Sequence, residues 1–235
     1  MPPTKIKAII LKKIDFRETS VIVHLLTDST GKISGLMKGV RCVSKKIPPI
    51  AYQEGACIEA FVYLKSRPGL ELVTKPAVLE IFNFHSDKLV LWKKILFLVD
   101  KLVPASRFNS KEIYEFVFNI GKLIPSIKNH RAVEIYITEK LLFLLGFGPF
   151  LEKCLVCGSQ DQLNFFSGKL GGVVCSKCQA GESTAFKIPA KHIDVLRFFS
   201  KIPADNLSMV KYIPDQLFEN LMKCLNEIIH YHINE

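Results

Sequence analysis

At 235 residues and 49% hydrophobic side chains, the chain is long enough and apolar enough to bury a core, which excludes a disordered tail. Its 32 Lys and Arg against 22 Asp and Glu give a formal net charge of +10, an excess that favours nucleic acid, acidic protein segments or anionic lipid as partners. The excess is concentrated, because residues 1–46 hold ten basic and three acidic side chains, a local +7.

The opening MPPTKIKAIILKKIDF has only a short apolar run, broken by lysines, and is not expected to act as a signal peptide. No later stretch reaches the eighteen uninterrupted apolar residues of a membrane span, so the expectation is a cytoplasmic protein. KIKAIILKKI, SVIVHLLT, KISGLMKGV, CIEAFVYLK and LELVTKPAVLEI then follow in order. These short runs are rich in Ile, Val, Leu and Phe and separated by turn residues, and they read as five strands of a small barrel. TDSTGK at 27–32 reads as a hairpin turn with Gly31 at positive φ, and KSRPG at 65–69 as another. KGVRCVSKKIPP at 38–49 falls between the third and fourth runs as a long surface connection carrying Lys38, Arg41, Lys45 and Lys46 and no acid.

Beyond residue 85 the period changes to that of helices. Ile113, Phe116, Val117, Ile120 and Ile124 recur at helical spacing, as do Leu217, Leu221, Leu225, Ile228 and His232. Further helices are expected over 88–102, 130–146 and 190–200, with Gly146 as a C-cap. The predicted fold class is therefore multidomain α+β, a five-stranded barrel followed by an α-helical domain.

Cys154, Cys157, Cys175 and Cys178 are spaced C-x2-C-x17-C-x2-C, inside the range of a four-thiolate zinc site. Two intervening residues let one tight turn present both sulfurs to a tetrahedral ion. The intervening NFFSGKLGGVVC reads as a β-hairpin that returns the second pair to the first. Four protein ligands fill the coordination sphere of Zn2+, so the expected role is structural. Cys42, Cys57 and Cys224 have no neighbour at ligand spacing and read as packing residues, and His24 reads as a barrel residue. No H-E-x-x-H, G-x-S-x-G or phosphate-loop motif is present, which argues against an enzyme.

A small barrel with a basic loop suits single-stranded nucleic acid, with Phe16, Tyr52, Phe61 and Tyr63 as candidate stacking groups. At this point the residues resemble a known family. DFRETSVIVHLLTDSTGKISGLMKGVRCVSKK is similar to the N-terminal signature of the bacterial recombination mediator family RecO: an Arg-x-x-Ser strand opening, a T-x-x-x-G-K turn and a K-G-x-R loop with trailing basic residues. LLFLLGFGPFLEKCLVCG is similar to its helix-to-zinc junction, and the order of parts is alike over essentially the whole chain.

The resemblance implies an oligonucleotide-binding (OB) barrel over 1–82 and an α-helical domain over 83–235 that carries a zinc ribbon at about 151–185. It implies DNA repair and homologous recombination without catalysis: binding single- and double-stranded DNA and annealing complementary strands. With RecR, such a protein helps load RecA onto DNA coated by single-stranded-DNA-binding protein. Carried over by position, Arg17, Lys38, Arg41, Lys45 and Lys46 would contact DNA, and the four cysteines would hold zinc. Lys140, with nearby Arg131 or Lys128 as a substitute, would receive the acidic, aromatic-ended tail of the single-stranded-DNA-binding protein. The chain departs from the family at Cys42, where a second basic residue is usual, and at Tyr136, Ile137 and Thr138, which align with an Arg-Phe-Glu triplet. The alternative is a zinc-stabilised module whose basic face binds acidic protein tails without touching DNA.

Overall fold

The structure is a computed structural model that describes residues 2–43, 47–66, 69–105 and 111–233. Five strands, β1 (Thr4–Phe16), β2 (Ser20–Thr27), β3 (Lys32–Met37), β4 (Cys57–Tyr63) and β5 (Leu70–Glu80), close into a barrel of order β1-β2-β3-β5-β4. All pairings are antiparallel except β3 with β5. Closure of five strands in this order is the OB architecture expected from the sequence.

Alternation sets the register. Ile6, Ala8 and Ile10 of β1, Val21, Val23 and Leu25 of β2, and Ile33 and Met37 of β3 share the interior with Ile58, Ala60, Val62 and Val73. Leu11 lies at a bulge where the β1–β2 register shifts between Ile10 and Lys12. Gly31 takes φ +77 in the β2–β3 turn, as predicted, and its carbonyl accepts from both the Thr27 amide (3.1 Å) and the Thr27 hydroxyl (2.7 Å). The third strand ends at Met37, three residues before the apolar run does. Gly39 adopts φ +65 there, and the Arg41 amide donates to the Thr19 carbonyl at 2.9 Å, which turns the chain back over the barrel end.

Two helices complete the first compact unit, Met1–Pro125. They are α1 (Ser86–Leu102) and α2 (Lys111–Leu123), and both pack against β1. The α1 face is fixed by Leu91, Trp92, Ile95 and Val99, all buried at i, i+1, i+4 and i+8. His24 is indeed a barrel residue: its Nδ1 lies 2.8 Å from an Asp100 oxygen on α1, and the Lys32 ammonium reaches the same carboxylate at 3.5 Å.

The second unit, Ser126–Glu235, contains α3 (His130–Leu144), β6 (Leu163–Ser167), β7 (Gly172–Cys175), β8 (Phe186–Lys187), α4 (Ala190–Lys201) and α5 (Asp215–His232). Asn129 caps α3 by accepting the Ala132 amide at 3.2 Å. Gly146 ends it at φ +86: Gly146 donates to Phe143 and Phe147 to Leu142, the paired bonds of a Schellman cap. The hairpin β6–β7 and the two-residue β8 form a sheet of order β7-β6-β8. Among the described residues no helix is long and apolar enough to cross a membrane.

Gly55 is one position in the first unit with no room for a side chain. Its φ is +84, and a Cβ would meet the Trp92 indole nitrogen at 2.4 Å. Gly55→Ala is therefore expected to destabilise this unit by about 2 kcal/mol or more, from backbone strain and the forced shift of Trp92 together. Chemical denaturation followed by the fluorescence of Trp92, the single tryptophan, measures it.

Candidate functional site

The basic loop is tied to the turn between β1 and β2. Arg41 donates through one guanidinium nitrogen to Asp15 at 2.9 Å and through the other to the Arg17 carbonyl. Asp15 also meets Lys13 at 3.3 Å. Arg17 itself takes φ +52, a costly conformation for a side chain with a Cβ, and its guanidinium lies over the Phe16 ring at 5.2 Å. The chain thus brings Arg17, Lys38 and Arg41 to one end of the barrel. Arg41 acts there as a strut between loop and turn, while Arg17 and Lys38 are exposed. Lys45 and Lys46 lie outside the described residues.

A groove of about 510 Å³ runs beside this loop, lined by Lys38, Val40, Ile47 and the Leu72–Pro76 stretch of β5. Lys75 at its edge was not singled out by sequence reading. It has φ +52 where the β4–β5 register slips between Glu59 and Phe61, and its ammonium stands 5.9 Å from the Phe61 ring. A bulge re-aims a side chain in a way that composition alone does not signal. Of the candidate stacking groups, Tyr52 is buried in the barrel core, Phe16 and Phe61 are half-buried beneath cations, and Tyr63 is exposed.

In the second unit the four cysteine sulfurs converge, with Cys154, Cys157, Cys175 and Cys178 offering ligand atoms within 4.8 Å of one another. Cys157 and Cys175 sulfurs are 3.7 Å apart, close to the roughly 3.8 Å edge of a tetrahedron with metal–sulfur bonds of about 2.3 Å. The hairpin returns the second pair to the first, as expected from the sequence. Gly158, at φ +76, closes the first knuckle by donating to the Cys154 carbonyl at 2.9 Å. The Cys175 amide donates to the Cys154 sulfur at 3.3 Å. Burial works against a thiolate at Cys154, but amides of Cys175, Cys157 and Val156 outweigh it and bring the group down to about 6. Four thiol groups with amide donors aimed at one of them fit a thiolate-binding divalent ion such as zinc.

The same unit holds a cavity of about 310 Å³ bordered by Glu139, Lys140, Phe143, Phe150, Arg197 and Lys201. Lys140 stands 5.1 Å from the ring of Phe143, which is 66% exposed. Arg131 is elsewhere. Its guanidinium donates to the Ile213 carbonyl at 3.0 Å, pairs with Asp215 and covers Phe218 at 5.4 Å, clamping the start of α3 to the start of α5. Nine residues of helix, about 13 Å of rise, separate it from Lys140. Tyr136, Ile137 and Thr138 are all buried, and the Thr138 hydroxyl donates to the Glu134 carbonyl at 2.7 Å.

Glu139 is the other group that sequence reading missed. It is only 3% exposed, and burial raises its carboxyl to about 7, against the lowering influence of the Ser200 hydroxyl and Lys140. Nothing in ITEKLLF marks this acid as buried, because the adjoining Lys140 reads as part of a solvated stripe.

An OB-type barrel, followed by helices that carry a four-cysteine ribbon, defines the class of protein. The chain belongs to the RecO family: residues 1–82 match the family model described as Recombination protein O N terminal, and residues 94–235 match Recombination protein O C terminal. It is similar to the DNA repair protein RecO of Oceanobacillus iheyensis, 28% identical over 88% of this chain and 80% of that one. The corresponding protein of Prosthecochloris aestuarii is 26% identical over 98% and 92% of the two chains, and that of Caldanaerobacter subterraneus subsp. tengcongensis 24% identical over 97% and 92%.

The raised carboxyl of Glu139 links stability to pH. Its folded value of about 7 lies above the ordinary 4.5, so the stability of the neutral form is complete below 4.5 and is lost as pH rises through 7. Glu139→Gln, which stays neutral, is expected to exceed the wild type at pH 8 by up to about 3 kcal/mol and to match it near pH 4.5. Thermal unfolding at the two pH values measures the difference.

Proposed function

We propose that the protein is a DNA-repair and recombination mediator that acts without catalysis. It binds single- and double-stranded DNA, anneals complementary strands and, with RecR, helps load RecA onto DNA coated by single-stranded-DNA-binding protein. Membership of the RecO family supports this, and so does the naming of its relatives as DNA repair proteins. The observation that carries it is the Arg41 strut, which ties the loop that follows Lys38 to the turn that carries Arg17 at one barrel end. Two polyanions approach each other only when cations lie between them, and a fixed cluster does this at lower entropic cost than mobile lysines. In this reading residues 1–82 are the DNA-binding domain, with Arg17, Lys38, Lys45 and Lys46 on phosphates and Arg41 ordering them.

Residues 83–235 form the α-helical partner-binding domain. Cys154, Cys157, Cys175 and Cys178 hold a structural Zn2+, which staples the ribbon around 151–185, a segment with little core of its own. The cavity beside Lys140 receives the acidic, aromatic-ended tail of the single-stranded-DNA-binding protein: Lys140 pairs with carboxylates and the exposed Phe143 and Phe150 offer apolar walls. Arg131 supports that site through the α3–α5 clamp. No membrane partner is invoked, and the protein works on DNA in the cytoplasm.

Filter binding against salt tests the DNA reading. Neutralising Arg17, Lys38, Lys45 and Lys46 together is expected to lower the log–log slope on single-stranded DNA by about three, at roughly 0.7 per phosphate contact. Annealing of complementary oligonucleotides at low salt should fall with it. An unchanged slope removes the loop from the function, and binding of acidic peptide without any binding of oligonucleotide makes the protein an interaction module. Arg41→Lys separates strut from simple cation, since it keeps the charge but loses the two-pronged contact, so binding is expected to drop although net charge does not. For the ribbon, the purified protein is expected to carry one zinc per chain by elemental analysis, and Cys178→Ser to lose it.

A further inference from the structure

The cavity beside Lys140 contains a group that tail docking by charge and aromatic contact does not require. Glu139 lines it and is more than nine-tenths buried. Its Oε1 accepts from the Ser200 hydroxyl, while Oε2 is buried with no partner among the described residues. The Ser200 hydroxyl also lies 3.1 Å from the Leu196 carbonyl, and its single proton cannot serve both acceptors. A neutral Glu139 resolves the conflict, because its own O–H then donates to Ser200 and the hydroxyl proton turns to Leu196.

The charged and titratable groups around it have unequal freedom. On α3 these are Tyr136 and Lys140. On α4 they are Arg197 and Lys201, and the segment between α3 and the first cysteine adds Glu152. Arg197 donates to the Leu151 carbonyl at 3.0 Å and pairs with Asp194 at 2.7 Å, and Lys201 is 3.9 Å from Glu152. Lys140 instead stands against the ring of Phe143. An incoming carboxylate attracted by Lys140 therefore comes up beside Glu139.

Resting on the tail-docking reading above, we propose that Glu139 takes up a proton when an acidic, aromatic-ended peptide enters this cavity, so that docking is tight at mildly acidic pH and released at alkaline pH. A second negative charge near a desolvated carboxylate disfavours its ionised form, so the bound complex holds the proton to higher pH than the free protein. Affinity is then full below the free-state value and falls as pH rises above it.

The test uses the full chain and a fluorescein-labelled peptide of three aspartates, a leucine and a C-terminal phenylalanine, whose own carboxyls stay ionised from pH 6 to 8. Anisotropy titrations are expected to show Kd rising by about fivefold or more across that range for the wild type. Glu139→Gln should hold the pH 6 affinity at pH 8, and Lys140→Ala should weaken binding at both. Calorimetry of the wild type at pH 7 in two buffers of different ionisation enthalpy should register net proton uptake. Wild-type binding with a flat pH profile, zero proton uptake, or a Glu139→Gln protein that keeps the wild-type pH dependence overturns the proton linkage and leaves the docking site standing. Absence of binding at every pH, or indifference to Lys140→Ala, overturns the docking site itself.

Discussion

Barrel closure rests on a short parallel seam. Strands β3 and β5 meet through three register pairs, Ser34 with Leu70, Gly35 with Glu71 and Leu36 with Leu72. At Gly35 a Cβ would come within 2.5 Å of a Val73 methyl, so the strands approach as they do because that position carries no side chain. Glu71 is buried next to the seam, and its carboxylate accepts the Lys65 amide at 2.8 Å, which satisfies part of the charge that closure hides. Past the seam β3 gives way to the loop while β5 continues, and the gap between them is the groove lined by Lys38 and Leu72–Pro76. With the seam open, Lys38 and Lys75 would sit on the two free edges of a sheet.

The 32 Lys and Arg side chains overstate what such a surface can offer an anion, because several of these cations are already engaged with carboxylates. Lys32 is held against Asp100, and burial keeps its ammonium below the ordinary range even with that carboxylate beside it. Lys5 pairs with Glu59 at 2.9 Å, and Asp15 draws on both Lys13 and Arg41. Arg41 contributes as much through geometry as through charge. It bonds the carbonyl of Arg17, whose positive φ costs on the order of 1 kcal/mol or more and persists only if neighbouring contacts fix the turn. A planar guanidinium with two directed donors does this, and an ammonium on a flexible stem does not.

What the sequence makes legible follows from how local each signal is. The strands, the helical stripes and the C-cap at Gly146 depend on neighbours within a few residues, so alternation, spacing and a single glycine identify them. The cysteine cluster was equally legible, since two tight knuckles and a hairpin leave the sulfurs little else to do than converge. The partners of the charged groups were not. Arg41 and Asp15 are 26 residues apart, Glu139 and Ser200 61, and no periodicity links them. The compact units also divide at 125/126, whereas the composition changes near residue 85, because α1 and α2 bury their apolar faces against the barrel. Side-chain pattern shows that a helix has a buried face, not which element covers it.

The two charged regions of the chain obey different physics. At the barrel end the cations face water, where counterions screen them over about 8 Å at physiological ionic strength, so salt concentration governs what they attract. In the cavity of the second unit the decisive charge is a single carboxyl removed from solvent, where screening ions do not reach and protonation is the cheaper response to an approaching anion. pH between 6 and 8 acts on the second region with little effect on the first, since Lys and Arg do not titrate there. A carboxyl left half-satisfied in a protein wall costs stability at neutral pH, and the same unspent hydrogen-bonding capacity makes its charge state responsive to whatever enters beside it.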